Sequence, residues 1–403
     1  MTSLGRCVGN DDQFLAEHWG RAPLHLPGID AGGFADLFTL DDVDQLIASS
    51  FLRLPAIRLV RDGTPLDPAT YTRSARLGNK DLADVADSGR VYERFREGAT
   101  IVLQGLQRFW APLTRFCREL ELELTHPVQV NAYITPPAAQ GLAVHYDTHD
   151  VFVLQFGGTK QWSIHAPVLE DPLASQPWSS SRGRAGDAIL CASLAAGDSL
   201  YVPRGFLHSA LAQEGTSAHL TIGVVATTWA DVVRTAITGI DDEVDFRRAL
   251  PVGFAHEPDL LAPAVAAHLE QLRTWLEKVD VEAVAERTAR RFWSGRTPML
   301  AGQLHQLSLL DEIHDGSRVR RRPGTICRVH LDADGERVHV LLGDRELHMP
   351  ARLERVVRRL TDAPDEIEVG ALADELDQPS RVVLVRRLVR EGLLEVVEVV
   401  DVG

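Results

Sequence analysis

Between Val128 and Val224 the chain runs in short apolar segments broken by glycine and proline. In "VQVNAYITP" the alternation puts Asn131 and Tyr133 on one face, the period of a strand with one side covered. "VFVLQFGG" is an unbroken apolar run closed by a glycine pair. "KQWSIHA" alternates again, with Lys160, Trp162 and Ile164 sharing a face. "DSLYVP", "LHSALA" and "AHLTIGVVA" complete the set. Many short strands with Gly and Pro turns predict a sandwich or jelly roll.

The flanking segments have a different period. Before about Pro127, "DDQFLAEHWG" reads as a short helix ended by Gly20. "SGRVYERFREGATIVLQGL" and "FWAPLTRFCRELELEL" read as helices around an extended "TIVL". After about Thr227, Leu261, Val265, Leu269, Leu272 and Leu276 follow helical spacing. Beyond "RVRRRPGT", "ICRVHLDADGERVHVLLGDRELHM" predicts hairpins, with Asp334-Gly335 as one turn. Helical signals return in "ARLERVVRRL", "VGALADELD" and "PSRVVLVRRLVREG", and the strand "LLEVVEVV" follows. Three helices and a β ribbon resemble a winged-helix module. The expected class is α+β, in four parts: 1–127, 128–226, 227–320 and 321–403, with no internal repeat.

Composition narrows the function classes. The 403 residues carry a formal net charge of -15, which makes a general nucleic-acid binder a poor reading. No stretch approaches the ~20 apolar residues that cross a bilayer, and the first twenty residues lack the apolar run of a secretory signal. Cys7, Cys117, Cys191 and Cys327 are scattered, with no C-x-x-C pair. That usage fits a reducing compartment, and a cytoplasmic location is expected.

The candidate chemistry sits in "GLAVHYDTHD". In a strand, residues two apart point the same way, so His145 and Asp147 can offer a nitrogen and an oxygen to one ion. "GDSLYVPRGFLH" supplies a third donor. Pro203 and Gly205 tighten a turn that delivers His208. Two histidines and a carboxylate on one side of a metal leave other positions open, the pattern of non-haem Fe(II) oxygenases. An isolated H-x-D is weak in a chain with 15 histidines, but the third histidine in its own turn strengthens it. His149 is the rival ligand, read here as a loop histidine behind the donors. His219, in "SAHLTIG", is read as a core or supporting histidine.

The order and spacing of "VNAYITPPAAQGLAVHYD", "VFVLQFGGTKQW" and "YVPRGFLH", with "HLTIG" behind them, resemble the cupin-fold Jumonji-C-type oxygenases, and among them the ribosomal oxygenases. The similarity extends to "HWGRAPLHLPG" near the start and to both C-terminal blocks. Many cupins carry Asn in the second motif where Ala212 stands here. The resemblance implies a double-stranded β-helix (cupin or jelly-roll) core with N-terminal helices. It also implies a helical dimerisation block at 227–320 and a C-terminal winged-helix-like domain. It implies Fe(II) held by His145, Asp147 and His208, with 2-oxoglutarate as cosubstrate. Lys160 would meet the far carboxylate of that cosubstrate, and Asn131, Tyr133 and Thr221 would line its pocket.

The implied reaction is hydroxylation of an arginine or histidine side chain in a protein, a ribosomal one in this family. The implied assembly is a homodimer. A peptide or carrier-bound amino acid is the alternative substrate. A non-catalytic cupin and winged-helix binding protein is the alternative class. Arg381, Arg386, Arg387 and Arg390 make a phosphate-binding face conceivable. Residues 350–403 nevertheless hold 8 Arg against 12 Asp or Glu, so tight DNA binding is not expected.

Overall fold

The alternating segments form strands, and every strand pair among the described residues is antiparallel. The structure, a computed structural model, describes residues 1–139, 143–332 and 334–399. The segments "VNAYITPPAAQGLAVHYD", "ICRVHLDADGERVHVLLGDRELHM" and "LLEVVEVV" lie partly outside this range, at residues 140–142, 333 and 400. The chain divides into two units, Met1–Ala226 and Thr227–Gly403.

In the first unit the strands are β1 (Leu24–Leu26), β2 (Ile57–Arg61), β3 (Thr64–Pro65), β4 (Thr72–Leu77), β5 (Lys80–Ala86), β6 (Thr100–Gln104) and β7 (Val128–Thr135). They continue with β8 (Asp150–Gly157), β9 (Lys160–His165), β10 (Ala188–Leu194), β11 (Ser199–Val202), β12 (Leu207–Ala212) and β13 (Ser217–Val224). An eight-stranded sheet runs β1-β11-β8-β13-β7-β6-β2-β3, and a three-stranded sheet runs β10-β9-β12. The N-terminal block thus supplies four strands of the large sheet. It also forms the separate hairpin β4–β5, which the sequence reading passed over.

One face of the large sheet is sealed by N-terminal helices. Leu4, Cys7 and Phe14, with Phe116 and Leu120 of the helix Ala111–Leu124, pack with Val130, Ala132, Phe152 and Leu154. The other face meets the small sheet through Val151, Val153, Trp162, Ile164, Leu194 and Leu200. This explains the unbroken apolar run of β8: both faces are covered, so alternation has no polar half. β9 alternates because only its Lys160, Trp162, Ile164 face is buried.

In the second unit, the helix Pro258–Leu276 carries the predicted apolar spacing but buries none of its residues. Beyond it come β14 (Arg318–Arg321), β15 (Arg328–Leu331), β16 (Arg337–Leu342), β17 (Arg345–Pro350), β18 (Ile367–Glu368) and β19 (Leu394–Glu398). They pair as β18-β14-β19 and β15-β16-β17. The helices Glu354–Asp362 and Gln378–Arg390 share their core. "VGALADELD" gives only a 3-10 turn, Val369–Leu372, where a longer helix was expected.

Candidate active site

His145, Asp147 and His208 converge between the two sheets, with one donor atom from each lying within 4.8 Å of the others. The device that brings them together is not the strand assumed from the sequence. His145 stands outside the named strands, on an isolated bridge to His208, and Asp147 lies in a loop. The His145 N–H donates to His208 O at 3.2 Å, and the His208 N–H donates to His145 O at 2.8 Å. Asp147 O accepts from Gly205 N at 3.0 Å. Backbone pairing therefore locks the H-x-D segment onto the turn that precedes His208.

That turn needs its glycine. Gly205 has φ +86°, and a Cβ there would sit 2.5 Å from Leu169 O and 2.9 Å from Pro172 Cδ. Both imidazole rings are held the same way. His145 Nδ1 lies 2.8 Å from Ala143 O, and His208 Nδ1 lies 3.0 Å from Phe206 O. A carbonyl can only accept, so Nδ1 carries the proton and Nε2 presents a lone pair. The Nε2 atoms face Asp147, at 4.0 Å from His145 and 3.6 Å from His208.

Electrostatics favours ligand-ready protonation states. Burial and the neighbouring His145 hold His208 down to about 4, so its ring is neutral near pH 7. Burial pulls the Asp147 carboxyl up, but His208, His149, His145 and Arg58 together carry it below the usual range.

A cavity opens beside the triad, lined by Thr100, Tyr133, Val151, Lys160, Trp162, Ser209, Ala210, His219 and Thr221. Lys160 is 3% exposed, an uncommon burial for lysine. Its Nζ donates to Thr135 Oγ1 at 3.0 Å, and Thr135 in turn meets Thr100 at 3.2 Å. No carboxylate of the described residues lies within ion-pair distance of it. Burial pushes its ammonium down to about 7. His219 stacks on Tyr133 at 5.2 Å and meets the edge of Trp162 at 5.5 Å. Burial and the adjacent Lys160 keep His219 neutral.

Tyr133, Lys160 and Thr221 therefore line one cavity with the triad. Asn131 is not among the described lining residues; its side-chain oxygen accepts from Gly105 N at 3.0 Å. His149 leans on Gly223, where a Cβ would come within 2.9 Å of its Nε2. Arg58 escaped the sequence reading. The pairings Arg58–Val102–Tyr133–His219 run straight across β2, β6, β7 and β13. Arg58 thus shares Tyr133's face of the sheet, and its charge is felt at both Tyr133 and Asp147. The only sequence signal was the alternation in "IRLVR", with Ile57 and Leu59 buried and Arg58 half-buried between them.

Residues 105–232 match the JmjC domain family. Human "Ribosomal oxygenase 1" is 29% identical over 351 residues, covering 80% of this chain and 53% of that protein. The Drosophila persimilis "Bifunctional lysine-specific demethylase and histidyl-hydroxylase NO66" is 31% identical over 211 residues, covering 52% of this chain and 29% of that one. The chain spans about half the length of the curated ribosomal oxygenases it matches. Among solved structures, YcfD, "a Ribosomal oxygenase from Escherichia coli in complex with Cobalt and 2-oxoglutarate", has a TM-score of 0.53 at 19% identity. That alignment covers 96% of this chain and 98% of YcfD. The chain therefore matches the JmjC domain family over residues 105–232 and is similar along most of its own length to ribosomal oxygenases.

Proposed function

We propose that this protein is an Fe(II)- and 2-oxoglutarate-dependent oxygenase that hydroxylates an arginine or histidine side chain of a ribosomal protein. The observation that carries the reading is the pairing of a His-Asp-His donor set with a buried lysine in one cavity. Two imidazole nitrogens and one carboxylate oxygen suit Fe(II) and leave positions for a bidentate ligand. When bound, the metal and cosubstrate supply oxidative decarboxylation coupled to insertion of oxygen into a C–H bond.

The protein's own contribution is placement. His145 and His208 present Nε2 because their Nδ1 protons are tied to carbonyls. Asp147 stays ionised. Lys160 offers a desolvated cation to the far carboxylate of 2-oxoglutarate, with Thr135 orienting Nζ. Tyr133, Trp162 and His219 wall the cavity with aromatic surface that limits water. Thr221 is a further pocket residue. Asn131 supports it indirectly, by holding Gly105. The substrate class is supported by the ribosomal oxygenase and histidyl-hydroxylase names of the relatives. Mass spectrometry of ribosomal proteins from cells with and without the gene tests it. A side chain heavier by one oxygen atom only when the gene is present is expected; identical spectra would overturn the substrate.

The same reading includes a cytoplasmic homodimer joined through 227–320, with 321–403 as a winged-helix-like domain. Among the described residues no helix is long and apolar enough to cross a membrane. On the helix Pro258–Leu276, Leu269 is 60% exposed, and Val265 and Leu276 lie open on the same face. Apolar surface of that extent on one helix fits a partner subunit. Light scattering is expected to give twice the 44.4 kDa chain mass, and Val265→Asp with Leu269→Asp to give the monomer. A monomeric wild type at micromolar concentration would count against the dimer.

The winged-helix-like part is read as a protein-contact module. Arg381 is spent on Asp315 at 2.6 Å, and Arg386 on the carbonyls of Asp311 and Ile313. Fluorescence anisotropy with duplex DNA is expected to show no tight binding at physiological salt. Nanomolar affinity that weakens steeply with salt would refute this.

A further inference from the structure

Among the described residues, one other group of histidine and carboxylate donors meets the triad's spacing, and it lies in the second unit. On the sheet β15-β16-β17, His330 stands opposite His339, and His339 opposite His348. The three imidazoles form a row across three strands, with ring centroids 5.0 and 4.6 Å apart. Glu346, two residues before His348, shares their face. Its carboxylate contacts His339 Nδ1 and lies 3.7 Å from His348 Nε2. Asp332 approaches His339 Nε2 from the other end, at 3.8 Å. One donor atom from each of His330, His339 and Glu346 lies within 4.8 Å of the others.

Packing does not require this arrangement. The opposite face of the sheet, with Val329, Val338, Val340, Leu347 and Met349, fills the core. The helix Val281–Trp293 covers the histidine face through Arg290, paired with Glu346, and Glu286, paired with Arg328 at 2.6 Å. Two buried polar atoms there, His330 Nδ1 and Glu286 Oε1, have no hydrogen-bond partner among the described residues. Buried polar atoms without partners are uncommon, and an ion is one of the things that accounts for them.

We propose that His330, His339 and Glu346 form a second metal site, for a divalent transition ion such as Zn(II), with His348 or water as fourth ligand. Two imidazoles and a carboxylate are a familiar zinc donor set. A tetrahedral ion with ligands at ~2.0–2.1 Å separates its donors by about 3.4 Å, so the side chains draw inward modestly from their present spacing. Arg290 is the competitor. It holds Glu346 in an ion pair, but its side chain is 38% exposed and can turn to water when the ion enters. The bound ion would tie three strands into one unit, independently of chemistry in the JmjC domain.

The test uses untagged full-length protein stripped of metal. After Zn(II) loading and gel filtration, two ions per chain are expected in wild type. One is expected in His339→Ala and one in His208→Ala. Co(II) reads the geometry, because four-coordinate Co(II) absorbs far more strongly than six-coordinate. The strong band should persist in His208→Ala and vanish in His339→Ala. Arg290→Ala should tighten the site by roughly twofold to fivefold, since a competing cation is gone. A structural ion-pair network predicts no such gain. If His339→Ala does not fold, His330→Gln carries the same stoichiometric test. An ion count that His339→Ala and His330→Gln both leave at the wild-type value overturns the site, whatever His208→Ala does to the other ion.

Discussion

Alanine in place of His208 is expected to bring 2-oxoglutarate turnover to background while the fold survives. The reasons are separable. His208 supplies one of three donors, and a bidentate cosubstrate needs the metal held firmly on the opposite side. The two backbone hydrogen bonds to His145 do not involve the imidazole, so alanine keeps the bridge. The lost ring leaves space at the cavity wall rather than in the sealed apolar core, which limits the loss of stability. Succinate release and circular dichroism, measured on the same sample, check both halves. Unchanged turnover in the alanine variant would move the metal elsewhere, and His149 and His219 would be the next donors to test.

Lys160→Ala is expected to raise the apparent Michaelis constant for 2-oxoglutarate about ten- to hundredfold or more. A hydrogen bond to a charged group contributes ~1.5–3 kcal/mol, which is that ratio in affinity. Fe(II) affinity should barely change, because the lysine does not contact the triad. Lys160→Arg should be intermediate, since its planar fork needs more room than an ammonium. The pH dependence sharpens the test. Burial holds Lys160 at about 7, below the ordinary lysine value. A bound carboxylate favours the ammonium, so cosubstrate binding takes up a proton. Affinity should therefore fall as pH rises above about 7, approaching tenfold per pH unit. Arginine remains protonated, so Lys160→Arg should be flat between about pH 7 and 9. Anaerobic titration of the visible band formed when 2-oxoglutarate chelates Fe(II) measures both effects. An alanine variant that titrates like wild type would leave Lys160 as a core residue and remove the anchor from the reading.

How much of this site was legible varies by residue. His208 announced itself through Pro203 and Gly205, because a tight turn is a local demand on residue type. Lys160 could be placed on the buried face of β9 because alternation fixes side-chain direction. His145 and Asp147 were found for a reason that differs from the one that operates. Their segment is not a strand, and their convergence depends on hydrogen bonds to residues about sixty positions away. Arg58 was missed for the same kind of reason. It reaches the Tyr133 face only because β2 pairs with β6, and β6 with β7. The histidine row of β15, β16 and β17 was visible as three separate histidines in predicted hairpins, but nothing in their spacing states the register that aligns them.

By itself the sequence determined what depends on neighbours in the chain. That includes the strand periods of residues 128–224, the apolar run of β8, the turn before His208 and the spacing of the helix Pro258–Leu276. Backbone geometry and side-chain alternation are local, so a few residues suffice to express them. Only the tertiary structure decided which faces are covered, which strands are adjacent and in what register. Register aligned His330 with His339 and His348, carried Arg58 to Tyr133, and closed His145 onto His208. Those outcomes depend on long-range pairing and on which apolar face finds a partner, and a one-residue slip would turn each side chain to the other side of its sheet.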